Sequence, residues 1–247
     1  MSTVDQTSGF LEELAQDCMT PELEHMFLNG RICHFDLGEN IITEGEPTTY
    51  FYEIIDGTIA LARNGRDGRR QILNFMGPRQ ILGVASTPGY PNLATALTPV
   101  VAIKYTRAHL ENALATSPGF ASQIRVILTR ILESAHDHIY TIGQRVAIER
   151  LASFLLYLRS TQARYAKNGP QSPVNELELP MTRLDIADFL GLTIETVSRA
   201  FSAMKQKKLI AFKDSHSVKI LNISALRELG GREDFTDKRG RTGYEDD

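Results

Sequence analysis

A short polar run in the C-terminal third carries the side chains best suited to chemistry: Glu195, Ser198 and Arg199, with Thr193 and Thr196 beside them. Arginine can bond bidentately to O6 and N7 of guanine. A carboxylate can accept from cytosine N4, and a serine hydroxyl can meet a base edge or a phosphate. Ile194, Val197, Phe201 and Met204 recur at spacings of three, four and three, so the run reads as an amphipathic helix beginning near Thr193. Burying that stripe leaves Glu195, Thr196, Ser198 and Arg199 on the outer face of the first turns, where a recognition helix meets bases. A Glu-x-x-x-Arg spacing alone is usually a solvated helix face, so the preceding residues matter. Leu184, Ile186, Ala187, Phe189 and Leu190 give one broad apolar face on a shorter helix, with Thr182 as N-cap and Asp185 completing a capping-box pattern. Gly191 supplies the permissive backbone of a tight corner. Met181 to Leu209 is therefore expected to be a helix-turn-helix that reads double-stranded DNA.

Charge supports that placement. The whole chain is acidic, with a formal net charge of −3, and has no Lys or Arg before Arg31. From Thr182 to Ile220, however, seven basic residues (Arg183, Arg199, Lys205, Lys207, Lys208, Lys213 and Lys219) stand against Asp185, Asp188, Glu195 and Asp214, a local +3. An acidic chain with one basic module fits nucleic-acid binding confined to that module. Leu209–Phe212 and Val218–Leu221 flank Lys213-Asp214-Ser215-His216-Ser217, a hairpin that reads as a wing whose Lys213 could contact phosphate.

The elements that must hold this module are legible upstream. Residues 1–30 read as an acidic tail with short helices near Gly9–Gln16 and after Thr20-Pro21. From 31 to 117 short β-like runs alternate with turn residues: Arg31–Phe35, Asn40–Thr43, Phe51–Asp56, Thr58–Arg63, Arg70–Met76 and Val100–Tyr105. That spacing suggests an antiparallel sandwich or barrel, with hairpin turns at Asp56-Gly57 and at Asn64 to Gly68. Residues 118–145 read as a long helix on which Ile124, Leu128, Ile131, Ala135, His138 and Ile142 form a narrow heptad seam. Such a seam is expected to pair with its copy in a homodimer, although packing on the chain's own barrel would also use it. His138 in that seam could tune a pH response or sit packed and neutral. Residues 146–229 hold a second helix, Val146–Arg164, then a turn-rich loop at Asn168–Pro173 and the helix-turn-helix. The polar, Gly-rich stretch from Gly230 to Asp247 is expected to be disordered. With no apolar run near the roughly 20 residues of a membrane span and no signal-peptide block, a cytoplasmic location is expected. Cys18 and Cys33 make no disulfide framework.

A barrel, a long helix and a winged helix-turn-helix in that order, an α+β arrangement, resemble the Crp/Fnr family of bacterial transcription regulators. The resemblance covers Arg31 to Leu229 and is most specific in IERLASFLLYL (Ile148–Leu158) and in Leu179–Ile210. It implies a cyclic-nucleotide-binding-like jelly roll at the N-terminal side. Gly191 to Arg199 is very like the Fnr and FixK branch, in which Glu-x-x-Ser-Arg reads TTGAT-type half-sites. On that resemblance Glu195, Ser198 and Arg199 are the base readers of a palindrome, Thr182, Thr193, Thr196 and Lys213 are accessory contacts, and RNA polymerase is a further partner. The implied targets are genes for low-oxygen respiration, denitrification or nitrogen fixation.

The sensing end departs from the better-known relatives. Cyclic-AMP-binding members carry a Gly-Glu pair and, further on, Arg followed by Ser or Thr; here Gly83-Val84-Ala85 stands at that place and no Arg lies between Gln80 and Lys104. A cyclic phosphate would lack a charge-assisted partner, so no cyclic nucleotide is expected. Two cysteines cannot hold a cluster that needs four ligands, so no iron–sulfur cofactor is expected. Haem ligation by Cys33, His34 or His109 is the alternative within the family, weakened because strand neighbours point to opposite faces. A cupin-type metal enzyme is the alternative of another class. It would need convergent histidines and carboxylates, whereas the barrel offers only His34 and His109 without an HxH pair, His136 and His138 falling on the long helix. Redox control through Cys18 or Cys33 has little basic chemistry nearby to lower a thiol pKa. The chain is thus expected to be a regulator without cofactor or metal, and not an enzyme.

Overall fold

The computed structural model describes residues 30–78, 80–164 and 175–231. The helices expected before Arg31, Cys18, the Asn168–Pro173 loop and the segment after Gly231 lie outside them. The chain forms two compact units, one holding the residues up to Ile139 together with Pro180–Gly191, the other Tyr140–Leu179 together with the residues from Leu192.

In the first unit eight strands make two four-stranded antiparallel sheets: β1 (Arg31–Phe35), β2 (Asn40–Ile42), β3 (Tyr50–Asp56), β4 (Ile59–Asn64), β5 (Arg70–Met76), β6 (Ile81–Leu82), β7 (Leu93–Ala96) and β8 (Val100–Thr106). One sheet runs in the order β1-β8-β3-β6 and the other β2-β7-β4-β5. Ile41, Ile42, Ile54, Ile59, Leu82, Ala94 and Ala102, drawn from both sheets, fill one buried cluster, so the jelly roll is a sandwich of two sheets. The Asp56-Gly57 turn is not a hairpin. It carries the chain from β3 in one sheet to β4 in the other. Gly57 has φ +96, and a Cβ there would lie 2.4 Å from the Pro99 carbonyl oxygen, so glycine is required by a corner where two backbones meet. Asn64 to Gly68 does turn the β4–β5 hairpin, with Asn64 opposite Arg70.

Helix α1 (Arg107–Thr116) begins at Thr106, whose hydroxyl oxygen accepts from the His109 amide. Ser117 then ends α1 and starts α2 (Pro118–Gln144), accepting from the Phe120 amide at 3.3 Å ahead of a proline at the first helical position. Phe51, Tyr105, Leu110, Ala113 and Phe120 pack together, with Phe51 stacked on Tyr105 at 5.0 Å.

The second unit is built on α3 (Ala147–Arg164), whose Leu151, Ala152 and Leu155 are fully buried. It packs on α5 (Ile194–Gln206) and α6 (Ile223–Gly230). The wing hairpin of β10 (Ile210–Phe212) and β11 (Ser217–Ile220) is present and gains a third strand, β9 (Glu176–Glu178), paired to β11. Gly230 does not begin a disordered tail: it is the last residue of α6 and lies against Ser153 and Leu156 of α3. Gly231 closes the helix in the left-handed conformation at φ 57. The Arg145 guanidinium, between α2 and α3, donates to the Gly230 carbonyl and, at 3.2 Å, to the Ser153 hydroxyl. It thus satisfies a helix C-terminus with positive charge.

Candidate nucleic-acid interface

Helix α4 (Arg183–Leu190) starts on the capping box its sequence suggests. The Asp185 amide donates to Thr182 Oγ1 at 3.1 Å, and the Thr182 amide donates back to Asp185 Oδ2 at 2.9 Å. Gly191 ends it in the left-handed region at φ 63. Ile186, Ala187, Phe189 and Leu190 are buried, but Leu184 is 52% exposed and does not belong to the apolar face. The residue buried in that turn is Asp185, a position no hydrophobic pattern would select.

The reason lies on β5. Arg70 Nη2 donates to Asp185 Oδ1 at 2.5 Å and its Nε to Asp188 Oδ2 at 2.8 Å, while Gln71 Nε2 donates to the Asp188 carbonyl at 2.5 Å. Phe75 of β5 and His138 of α2 lie against the Phe189 ring at 5.2 and 4.2 Å. Burial pushes the Asp185 carboxyl up, but hydrogen bonds from Thr182 and the Arg70 guanidinium outweigh it and hold the group below its ordinary range. Burial also lowers the His138 imidazole, against a hydrogen bond with the Phe189 backbone that raises it. Sequence reading missed Arg70 and Gln71. The available signal was Asp185 and Asp188 three residues apart on one helix, with an arginine-rich hairpin elsewhere in the chain.

Helix α5 begins at Thr193, whose hydroxyl accepts from the Thr196 amide. Val197, Ala200, Phe201 and Met204 are buried; Ile194, expected among them, is 40% exposed because it opens the helix before the buried stripe begins. Glu195, Ser198 and Arg199 are all exposed, Thr196 half so, and Ser202 extends the same stripe one turn further, four residues beyond Ser198. Ser198 Oγ donates to the Ile194 carbonyl at 2.9 Å, which leaves its lone pairs facing outward as acceptors. Arg199 Nη2 donates to Thr196 Oγ1 at 3.2 Å, which restrains the guanidinium on the exposed face. Glu195 is kept below the ordinary carboxylate range by its own backbone N–H and then by the Thr193 hydroxyl, with a smaller part from Arg199. The face thus offers a forked donor next to two acceptors, a set that matches the edges of guanine, cytosine and adenine in the major groove.

In the wing, Lys213 Nζ donates to Glu176 Oε1 of β9 at 2.6 Å, so an anion approaching Lys213 must displace or join a carboxylate. Of the heptad residues on α2, Leu128, Ile131 and Ala135 are exposed, whereas Ile124, His138 and Ile142 are half-buried. Ile124 packs on the Phe51–Tyr105 cluster of its own chain. Val126, Leu132, Ile139 and Tyr140 are exposed as well, so the bare apolar band is wider than a strict seam. Cys33 is half-buried and His34 exposed on β1, and His109 Nδ1 lies 2.7 Å from Thr106 Oγ1 at the start of α1. Among the described residues, no group of three or more His, Cys, Asp or Glu could hold a metal ion, and no helix is long and apolar enough to cross a membrane.

Comparison with known proteins matches residues 149–229 to the Crp-like helix-turn-helix domain and residues 32–117 to the cyclic nucleotide-binding domain. The chain is 37% identical over 190 residues to the nitrogen fixation regulation protein FixK of Bradyrhizobium diazoefficiens, covering 77% of each chain. It is 36% identical over 172 residues to the transcriptional activatory protein AadR of Rhodopseudomonas palustris, covering 70% of each. The solved structure of FixK2 from Bradyrhizobium japonicum superposes with a TM-score of 0.75 at 29% identity, over 83% of this chain and 98% of that one.

Proposed function

Because this chain belongs to the Crp/Fnr family of transcription regulators, in its FixK-like branch, we propose that it binds a TTGAT-type palindrome as a homodimer and activates transcription there. The observation that carries this reading is the exposed stripe of Glu195, Ser198 and Arg199 on the first two turns of α5, ahead of a buried apolar stripe. Arg199 supplies the bidentate fork for a guanine, Glu195 an acceptor for a cytosine amine, and Ser198 a second acceptor. Thr182, Thr193, Thr196 and Lys213 serve as accessory contacts, fixing register on the backbone without specifying sequence.

Dimerisation is supported by the exposed apolar side chains of α2, Leu128, Ile131, Leu132 and Ile139 among them, which water would otherwise cover. Two copies would present two readers to half-sites about one helical turn apart. The relatives named as nitrogen fixation regulation proteins support nitrogen-fixation genes as targets; genes of low-oxygen respiration or denitrification, RNA polymerase as the partner of activation and a cytoplasmic location complete the proposal. No cyclic nucleotide takes part in this proposal: the sequence between Gln80 and Lys104 holds no arginine for a cyclic phosphate.

Selection of bound duplexes from a random pool, using the purified protein without added effector, tests the proposal. Enrichment of two inverted TTGAT-type half-sites is expected. Enrichment of another half-site, or of none, would refute it.

A further inference from the structure

The β4–β5 hairpin carries a cluster of positive charge that base reading by α5 does not use. Arg63, Arg66, Arg69 and Arg70 stand within eight residues, with Asp67 the one acid among them. Arg63 and Arg66 are exposed; the Arg69 side chain is 90% exposed too, but its guanidinium is paired with Asp67 at 2.6 Å. The tip is also ordered from within. The Gly65 amide donates to the Arg69 carbonyl at 2.7 Å, the Gly68 amide to the Gly65 carbonyl at 3.0 Å, and the Arg69 amide to Asp67 Oδ1 at 3.1 Å. Gly68 takes φ +80 to close the turn. The arginines are therefore presented on a fixed frame, which lowers the ordering cost of any contact they make.

The hairpin's position names the partner. At the base of the tip, Arg70 grips Asp185 and Asp188 of α4. The first helix of a helix-turn-helix crosses the DNA backbone. Two carboxylates on that helix would repel phosphate; Arg70 pairs with both and offsets one of their two charges, and the exposed Arg63 and Arg66 of the same hairpin add two further cations. Guanidinium groups suit phosphate through their forked donors. From this juxtaposition we propose that the arginine-rich β4–β5 hairpin is an accessory DNA-backbone surface, contacting phosphates that flank the half-site irrespective of sequence. The proposal rests on the reading of α4 and α5 as a DNA-binding helix-turn-helix.

Binding of wild type and of Arg63→Ala/Arg66→Ala is compared on three duplexes across a salt series. One holds the palindrome alone, one extends it by about a helical turn on each side, and one has the longer length in random sequence. The variant is expected to bind both longer duplexes about tenfold more weakly at low salt. Its plot of log affinity against log salt should be shallower by about 0.9 for each phosphate that the hairpin no longer neutralises, with the preference for the palindrome unchanged. Arg66→Gln, at the loop tip outside any strand pair, should move the same way by a smaller step, which guards against a folding artefact. Wild-type slopes and affinities in both variants would overturn the proposal. So would unchanged DNA binding with reduced transcription by RNA polymerase, which would make the tip a protein contact. If wild type shows no preference for the palindrome, the proposed specificity fails, yet the slope on random duplex still decides the role of the hairpin.

Discussion

At the scale of single residues, two basic side chains should behave differently on DNA. Arg199 lies on the face proposed to read bases, so Arg199→Ala should cost about 1–3 kcal/mol on the proposed TTGAT palindrome and relax preference at a single base pair. Competition binding with each base pair substituted in turn checks this, and a uniform loss at every position would reassign Arg199 to the backbone. Lys213 is held by Glu176, so its effect has two parts. Lys213→Ala should weaken all sequences alike and reduce the salt slope by about 1. Glu176→Gln should strengthen binding to all of them, because the lysine then meets phosphate without a competing carboxylate. Salt titrations of both variants measure this, and the same sign for both would argue against a phosphate contact.

At the scale of elements, α4 is held by two titratable groups whose losses of stability begin at different pH as acid is added. His138 lies against Phe189, and burial lowers it from its ordinary 6.5. The unfolded chain therefore binds a proton that the folded chain does not as pH falls below 6.5, so stability declines through that window. Asp185 is shifted below 3.8, so its contribution is complete above 3.8 and is lost as pH falls further toward the folded value. Denaturation profiles against pH should show both limbs. His138→Leu should flatten the upper limb and Asp185→Asn the lower one. An upper limb of full size in His138→Leu would locate that proton uptake at another histidine.

At the scale of the whole molecule, the exposed band on α2 is the feature a single chain leaves unexplained. Leu128 and Ile131 are 50% and 57% exposed in the middle of a 27-residue helix. Leu128→Glu/Ile131→Glu should give a folded monomer by sedimentation, one that binds a single half-site as weakly as it binds each half of the palindrome. A variant that still sediments as a dimer would place the interface elsewhere. The expected heptad residues divide in the structure, with Ile124 and His138 taken up by packing in their own chain. A heptad pattern records which face is apolar; it does not record which neighbour covers each turn.

Local physics accounts for what could be read along the chain. The outward placing of Glu195, Ser198 and Arg199 was legible because helical periodicity fixes which side chains face outward, and Thr182, Thr193 and Gly191 were legible because caps and corners have their own chemistry. Most β-strands were legible from apolar runs and turn residues. The two-residue β6, the four-residue β7 and the three-residue β9 were not; they exist through pairing with distant strands. Tertiary structure alone decided that Asp56-Gly57 crosses between sheets, that Gly230 ends a helix, and that Asp185 is buried. Each depends on a partner far along the chain: the backbone at Pro99, the α3 helix, and Arg70, which lies 115 residues before Asp185. Spacing along a chain encodes its own helix or strand, but not the identity of the surface that will meet it.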